Sequence, residues 1–254
     1  MKDTNWQYHT AGDSGLGFVE RLKRCPREPD PLVYASRAAA AVAIRVALRL
    51  YNRFDISGRE NLPRGCSYVL VANHASHLDA VALLSALPLR SVNRAYPIAA
   101  RDYFDKNSVR LAVTAIIANV MLFDRNSKGV GDLQRYQEML DEQGNVLVMF
   151  PEGTRTLDGR VGIFRRGIGL LVGGTPYPVV PCYVDGTFAA WPKGTLIPRP
   201  SRVRLLIGKP RTYERIERND AGALHICDDL RADVLALASK IQPQTRPIPQ
   251  EAYL

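Results

Sequence analysis

The chain has 254 residues, 46% hydrophobic and 23% charged, a length and balance that suit one globular domain with a sizeable core and exclude disorder as its general state. Its 34 Lys and Arg against 25 Asp and Glu leave a net charge of +9 and a pI near 9.6, which points to a polyanionic neighbour: nucleic acid, an anionic membrane surface or a phosphorylated substrate. Cys25, Cys66, Cys182 and Cys227 include no C-x-x-C pair, so neither a disulfide framework nor a zinc knuckle is suggested and a reducing compartment fits best.

Residues 1–30 mix Gly, Asp, Lys, Arg and Pro without periodicity and read as a mobile polar arm with no signal-peptide pattern. GDSGLG at 12–17 has the look of a serine-nucleophile loop, but no strand pattern flanks it. From Pro31 the alanine-rich run LVYASRAAAAVAIRVALRLYNRF, free of Gly and Pro, predicts a helix over 31–54. Arg45, Arg49 and Arg53, spaced i, i+4, i+8, form a basic stripe beside a broad apolar arc. Such a helix is about 33 Å long and could cross a bilayer. Each arginine near the bilayer centre, however, costs about 2.5–3.5 kcal/mol. Two arrangements stay open: a helix lying in the membrane interface with guanidinium groups toward lipid phosphates, or one packed on the domain's own core.

After Gly58, short apolar runs alternate with helical stretches, the pattern of an α/β domain. SYVLVA predicts a strand and LDAVALLSAL a helix that Pro88 ends. IIANVMLF contains a strand, DLQRYQEMLDEQ is a helix, and NVLVMF, YPVVPCYV and RVRLLIG are strands before a last helix around LHICDDLRADVLALASKI. In RRGIGLLVGG, Val172 stands where a dinucleotide loop has its third glycine and no acidic ribose partner follows. That segment reads as a helix made small for close packing. Aromatic residues are not interleaved with the dispersed basic ones, which argues against a nucleic-acid surface.

HASHLD at 74–79 carries two of the four histidines. His74, His77 and Asp79 are zinc-ligand types, but the spacing does not match H-x-H-x-D-H, so no metal site is expected. Positions 74 and 79 lie about 140° apart on a helical wheel, so His74 must precede the helix. Ser76 and Asp79 have the spacing of a capping box, which makes the aspartate a capping acid. Equally, a loop histidine with a first-turn carboxylate reaching its ring has the layout of an oriented general base.

NHASHLD resembles the H-x4-D block of the glycerolipid acyltransferases, the family that includes bacterial 1-acylglycerol-3-phosphate acyltransferases. VMLFDR at 120–125 is similar to that family's second block, MFPEGTR at 149–155 matches the third, and YPVVPCYV at 177–184 resembles the fourth, all in the family's order. The resemblance implies a single acyltransferase domain over 55–254, with a central mixed sheet flanked by helices and preceded by the amphipathic helix. It implies acyl transfer from acyl-CoA or acyl carrier protein, as co-substrate and without a cofactor, to a lysophospholipid hydroxyl, with 1-acylglycerol-3-phosphate giving phosphatidate. Glycerol 3-phosphate, another lyso-lipid or an aminolipid are alternative acceptors; a metal-dependent hydrolase and a non-catalytic membrane-binding protein are alternatives of other classes. By the same resemblance His74 is the base and Asp79 its support. Arg125, Glu152, Gly153, Thr154 and Arg155 bind the acceptor, with Asn73 and Pro181 in supporting roles. Two guanidinium groups suit a phosphomonoester, which they grip as a bidentate fork. A peripheral or monotopic placement on the cytoplasmic face of an anionic membrane follows as an expectation.

Overall fold

The computed structural model describes residues 31–100, 120–123, 130–192, 195 and 197–241. The polar arm with its GDSGLG string, and Arg125, lie outside the described residues. Among the described residues seven strands form one sheet in the order β1-β7-β6-β2-β5-β3-β4. They are β1 (Asp55–Ser57), β2 (Tyr68–Ala72), β3 (Ala95–Ala100), β4 (Met121–Phe123), β5 (Val146–Met149), β6 (Val179–Asp185) and β7 (Arg204–Ile207). Strands β6, β2, β5, β3 and β4 run parallel, whereas β7 is antiparallel to β6 and β1 follows β7. The sheet is therefore mixed, as expected.

Helices cover both faces. On one lie α1 (Pro31–Tyr51) and α2 (Leu78–Ala86); on the other α3 (Val130–Asp141), α4 (Gly167–Val172) and α6 (Asp220–Ser239), while the short α5 (Thr187–Ala190) follows β6. Strand β2 shows why its sequence is an unbroken apolar run: Leu70 and Ala72 join one core cluster and Val69 and Val71 the other. With both faces buried, alternation with polar residues has no place to occur. Gly169 explains the small residues of α4, because a Cβ there would come within 2.3 Å of the Ala223 carbonyl oxygen on α6.

Helix α1 is docked on the domain through Arg37 and Leu48, both buried, and through Arg45, whose guanidinium donates to the Leu87 carbonyl at the end of α2. The expected stripe of Arg45, Arg49 and Arg53 is divided: Arg45 turns inward, Arg49 is exposed, and Arg53 lies past the helix with φ 46°. That left-handed residue ends α1, and the Phe54 N–H returns to the Leu48 carbonyl at 3.1 Å. The outward row is apolar instead, with Leu32, Val42, Val46 and Leu50 all exposed. Among the described residues no helix is long and apolar enough to cross a membrane.

Candidate active site

The site is assembled at the carboxyl ends of the parallel strands, where α/β sheets place their ligands. Past the end of β2, the Asn73 side chain acts as one more peptide unit: its amide nitrogen donates to the Val184 carbonyl at 3.0 Å and its oxygen accepts the Val184 N–H at 2.8 Å. The chain can then leave the sheet without abandoning a buried partner on β6.

His74 comes next and is held by four residues. Its N–H donates to Glu152 Oε1 at 2.9 Å, and its carbonyl accepts the Thr156 N–H at 2.8 Å. Its ring stacks on Phe150, with centroids 4.1 Å apart and planes 19° apart. Nδ1 meets Asp79 Oδ2 at 3.0 Å. A carboxylate can only accept, so in the neutral ring Nδ1 carries the proton and Nε2 the lone pair, on a side chain that is 20% exposed.

Asp79 is fully buried. The same Oδ2 accepts the Ala75 and Ser76 N–H groups, each at 2.7 Å, while Oδ1 accepts the Thr187 hydroxyl at 2.5 Å. Ser76 Oγ in turn accepts the Leu78 N–H at 3.1 Å and donates to the Trp191 carbonyl. One carboxylate thus holds both the turn that leads into α2 and the imidazole, and the helix starts one residue later than the capping-box spacing implied, with His77 rather than Ser76 at the N-cap position. His77 packs edge-on against Trp191, with ring centroids 5.9 Å apart.

The PEGTR loop follows β5 as the HASHLD loop follows β2. Glu152 is buried, and its carboxylate accepts main-chain N–H groups from His74 and from Gly162. Burial raises its pKa above the ordinary 4.5, and the two N–H donors oppose that rise. Gly153 takes φ +70°, and a Cβ there would lie 3.0 Å from Arg165 Nε, which donates to the Glu152 carbonyl. A side chain at this turn would be strained and crowded. Thr154 is exposed and Arg155 half-buried, one residue before the Thr156 N–H that holds His74. Pro181 is buried in β6 opposite Val71. Around it the β6–β7 register shifts by one residue between the pairs Cys182–Ile207 and Val179–Arg211, and the Gly208 N–H donates to the Pro181 carbonyl at 2.7 Å. A residue without an N–H suits such a bulge.

A cavity of about 230 Å³ opens beside the His74 loop, lined in part by Ala75, Gly186, Thr187 and Phe188. Among the described residues no three His, Cys, Asp or Glu side chains are grouped so as to hold a metal ion. Sequence reading overlooked Thr187, Phe150 and Gly162. Each lies at or beyond the carboxyl end of a central strand, or packs on a loop that leaves one, which is the positional signal that could have found them.

Comparisons with known proteins bear on the family and the fold. A family model described as Acyltransferase matches residues 53–185, more than half of the chain. A 1-acyl-sn-glycerol-3-phosphate acyltransferase from Limnanthes alba is 30% identical over 154 residues, 58% of this chain and 50% of that protein. The 1-acyl-sn-glycerol-3-phosphate acyltransferase alpha of Mus musculus is 28% identical over 192 residues, covering 74% of this chain and 65% of the relative. The chain therefore spans between half and two thirds of the length of these curated relatives. In fold it resembles the crystal structure of the 1-acyl-sn-glycerophosphate acyltransferase PlsC from Thermotoga maritima, with a TM-score of 0.64, 21% identity and 89% of each chain covered. By the family model over residues 53–185, the chain belongs to the acyltransferase family.

Proposed function

We propose that the chain moves a fatty acyl group from a thioester, carried on coenzyme A or acyl carrier protein, to the free hydroxyl of 1-acylglycerol-3-phosphate, giving phosphatidate. His74 Nε2 takes the hydroxyl proton as the oxygen adds to the thioester carbonyl. Collapse of the tetrahedral intermediate breaks the C–S bond, and the departing thiolate receives the proton from the imidazolium. Asp79 stabilises the cationic ring between these steps and fixes its tautomer; base catalysis of this kind contributes about 10² to 10⁴ in rate. The scheme uses no acyl-enzyme and no cofactor.

The observation that carries this reading is the His74 ring itself: Nδ1 is secured by a buried carboxylate, its face is stacked on Phe150, and Nε2 is left toward solvent. Arg155, on the loop bonded to the His74 carbonyl, is the candidate for the acceptor's phosphate, together with Arg125. The relatives' names support the choice of acceptor. The exposed apolar row of α1 and the net charge of +9 support a peripheral attachment to an anionic membrane at its cytoplasmic face.

Purified protein incubated with radiolabelled acyl-CoA and a panel of lyso-lipids tests the assignment. Labelled phosphatidate, with little label in acceptors lacking the phosphate, is the expected product pattern. Free labelled fatty acid alone would instead make the chain a hydrolase.

A further inference from the structure

A second cavity, of about 680 Å³, lies at the other end of the sheet. Its wall includes Tyr68, the first residue of β2, and Gly144, just ahead of β5, whereas His74 and Glu152 follow the last residues of those strands. Strand β2 alone spans about 16 Å at 3.3 Å per residue. A group held here is therefore well separated from the proton-transfer site.

The chemistry of the wall is one-sided. Arg59, Arg64, Arg90 and Arg94 all line it, and among the described residues no Asp or Glu does. None of the four is ion-paired among the described residues. They come from three separate segments: the turn after β1, the loop before β2, and the 3-10 helix between α2 and β3, which supplies Arg90 and Arg94. Two are anchored. Arg59 donates to the Ser85 carbonyl at 3.2 Å and Arg94 to the Gln143 carbonyl at 2.9 Å, and each guanidinium keeps further N–H donors. A Cβ at Gly144, which has φ +89°, would sit 3.0 Å from Arg94 Nη1, so the backbone there makes room for that guanidinium. Behind this group, burial and then the nearby Arg59 charge lower the pKa of Arg45. Converging like charges in a concave wall repel one another and focus a positive potential.

We propose that this cavity is an anion site, separate from the acceptor site, that takes a phosphate-bearing group about the size of a lipid headgroup. Guanidinium forks match phosphate oxygens in bidentate pairs, and an anion bridging three chain segments relieves their mutual repulsion. Tyr34 of α1 stands at the wall. That helix, about 32 Å long by its 21 residues, reaches from this cavity to the catalytic end, where the Tyr51 hydroxyl donates to the Pro198 carbonyl. A bilayer lying along α1 would bring lipid phosphates to the cavity; free phosphate is the other source of the same chemistry.

Cys66 offers a local reporter, because it is exposed and lines the cavity while Cys182 and Cys227 are buried. Alkylation of Cys66, followed by peptide mass spectrometry on the full chain, is measured with sodium phosphate, with phosphatidylglycerol vesicles, and with phosphatidylcholine vesicles. Phosphate or phosphatidylglycerol should slow Cys66 labelling, and R64A/R90A should weaken that protection about tenfold or more in anion concentration. The charge-matched control R215A/R218A should keep it, and so should R155A, which separates this site from the proposed acceptor pocket. Protection by soluble phosphate as well as by anionic vesicles identifies a free-anion site; protection by anionic vesicles alone identifies a headgroup site. Cys66 labelling that ignores both anions, or protection that R64A/R90A leaves intact, overturns the proposal.

Discussion

Replacing Asp79 by Asn separates the two tasks of that carboxylate. Oδ2 receives the Ala75 and Ser76 N–H groups at 2.7 Å and His74 Nδ1 at 3.0 Å. The single Asn oxygen must take this position, since an NH2 there would face two main-chain donors. The NH2 then falls where Oδ1 was, and the Thr187 hydroxyl turns to accept from it. The Ala75, Ser76 and His74 donors keep their acceptor, and the chief change is the loss of charge. Charge-assisted bonds exceed neutral ones by about 1 kcal/mol each, so three at Oδ2 lose about 3 kcal/mol. Relief from burying an ionised group offsets part of this, leaving a net destabilisation of about 1–2 kcal/mol. The imidazolium loses more. At 3.0 Å and an effective dielectric near 20, its attraction to the carboxylate is about 5 kcal/mol. Solvent at the partly exposed ring trims that to about 3–4 kcal/mol, or about 10² to 10³ in turnover. Initial rates with lysophosphatidate and acyl-CoA, beside a thermal melt of the same preparation, read both quantities. A D79N variant whose melt falls while turnover stays within about threefold of wild type would reduce Asp79 to a helix cap and refute the reasoning.

Glu152 yields a pH prediction. Its folded-state pKa is raised above 4.5 by burial, so the folded chain holds this proton more tightly than the unfolded one. Its contribution to stability is full below 4.5 and is lost as pH climbs through the raised value. Denaturant midpoints of wild type and E152Q, compared across that range, should shift in E152Q's favour as pH rises; a difference independent of pH would contradict it. In α4, G169A forces a Cβ into the backbone of Ala223 and should destabilise by about 1–3 kcal/mol, lowering the melt by about 2–10 °C. G167A meets nothing within 4 Å and should leave the melt unchanged or slightly raised, so equal effects at the two positions would rule out the packing argument.

Much of this architecture was legible because burial leaves periodic traces. Strands β2, β5 and β6 stood out as apolar runs bounded by turns, and α2 and α6 as helical patterns. Strand β1 escaped notice because it has three residues and only Ile56 is apolar. Strand β3 escaped because Pro97 and its alanines carry little strand propensity, its place being fixed by pairing with β5 and β4. At the site, His74 and Asp79 were readable since their relation is local, five residues apart. Thr187 was not, since it reaches Asp79 across 108 positions of sequence. Glu152 was legible as part of a motif, whereas its grip on the His74 main chain depends on two loops meeting above neighbouring strands.

The most direct measurement is the turnover of H74A under saturating acyl-CoA and lysophosphatidate. Truncation leaves Asp79 its Ala75, Ser76 and Thr187 donors, so the fold and its melting temperature should persist while turnover falls by about 10² or more. An H74A protein that melts like wild type and retains more than about a tenth of its turnover would contradict the assignment of His74 as the base.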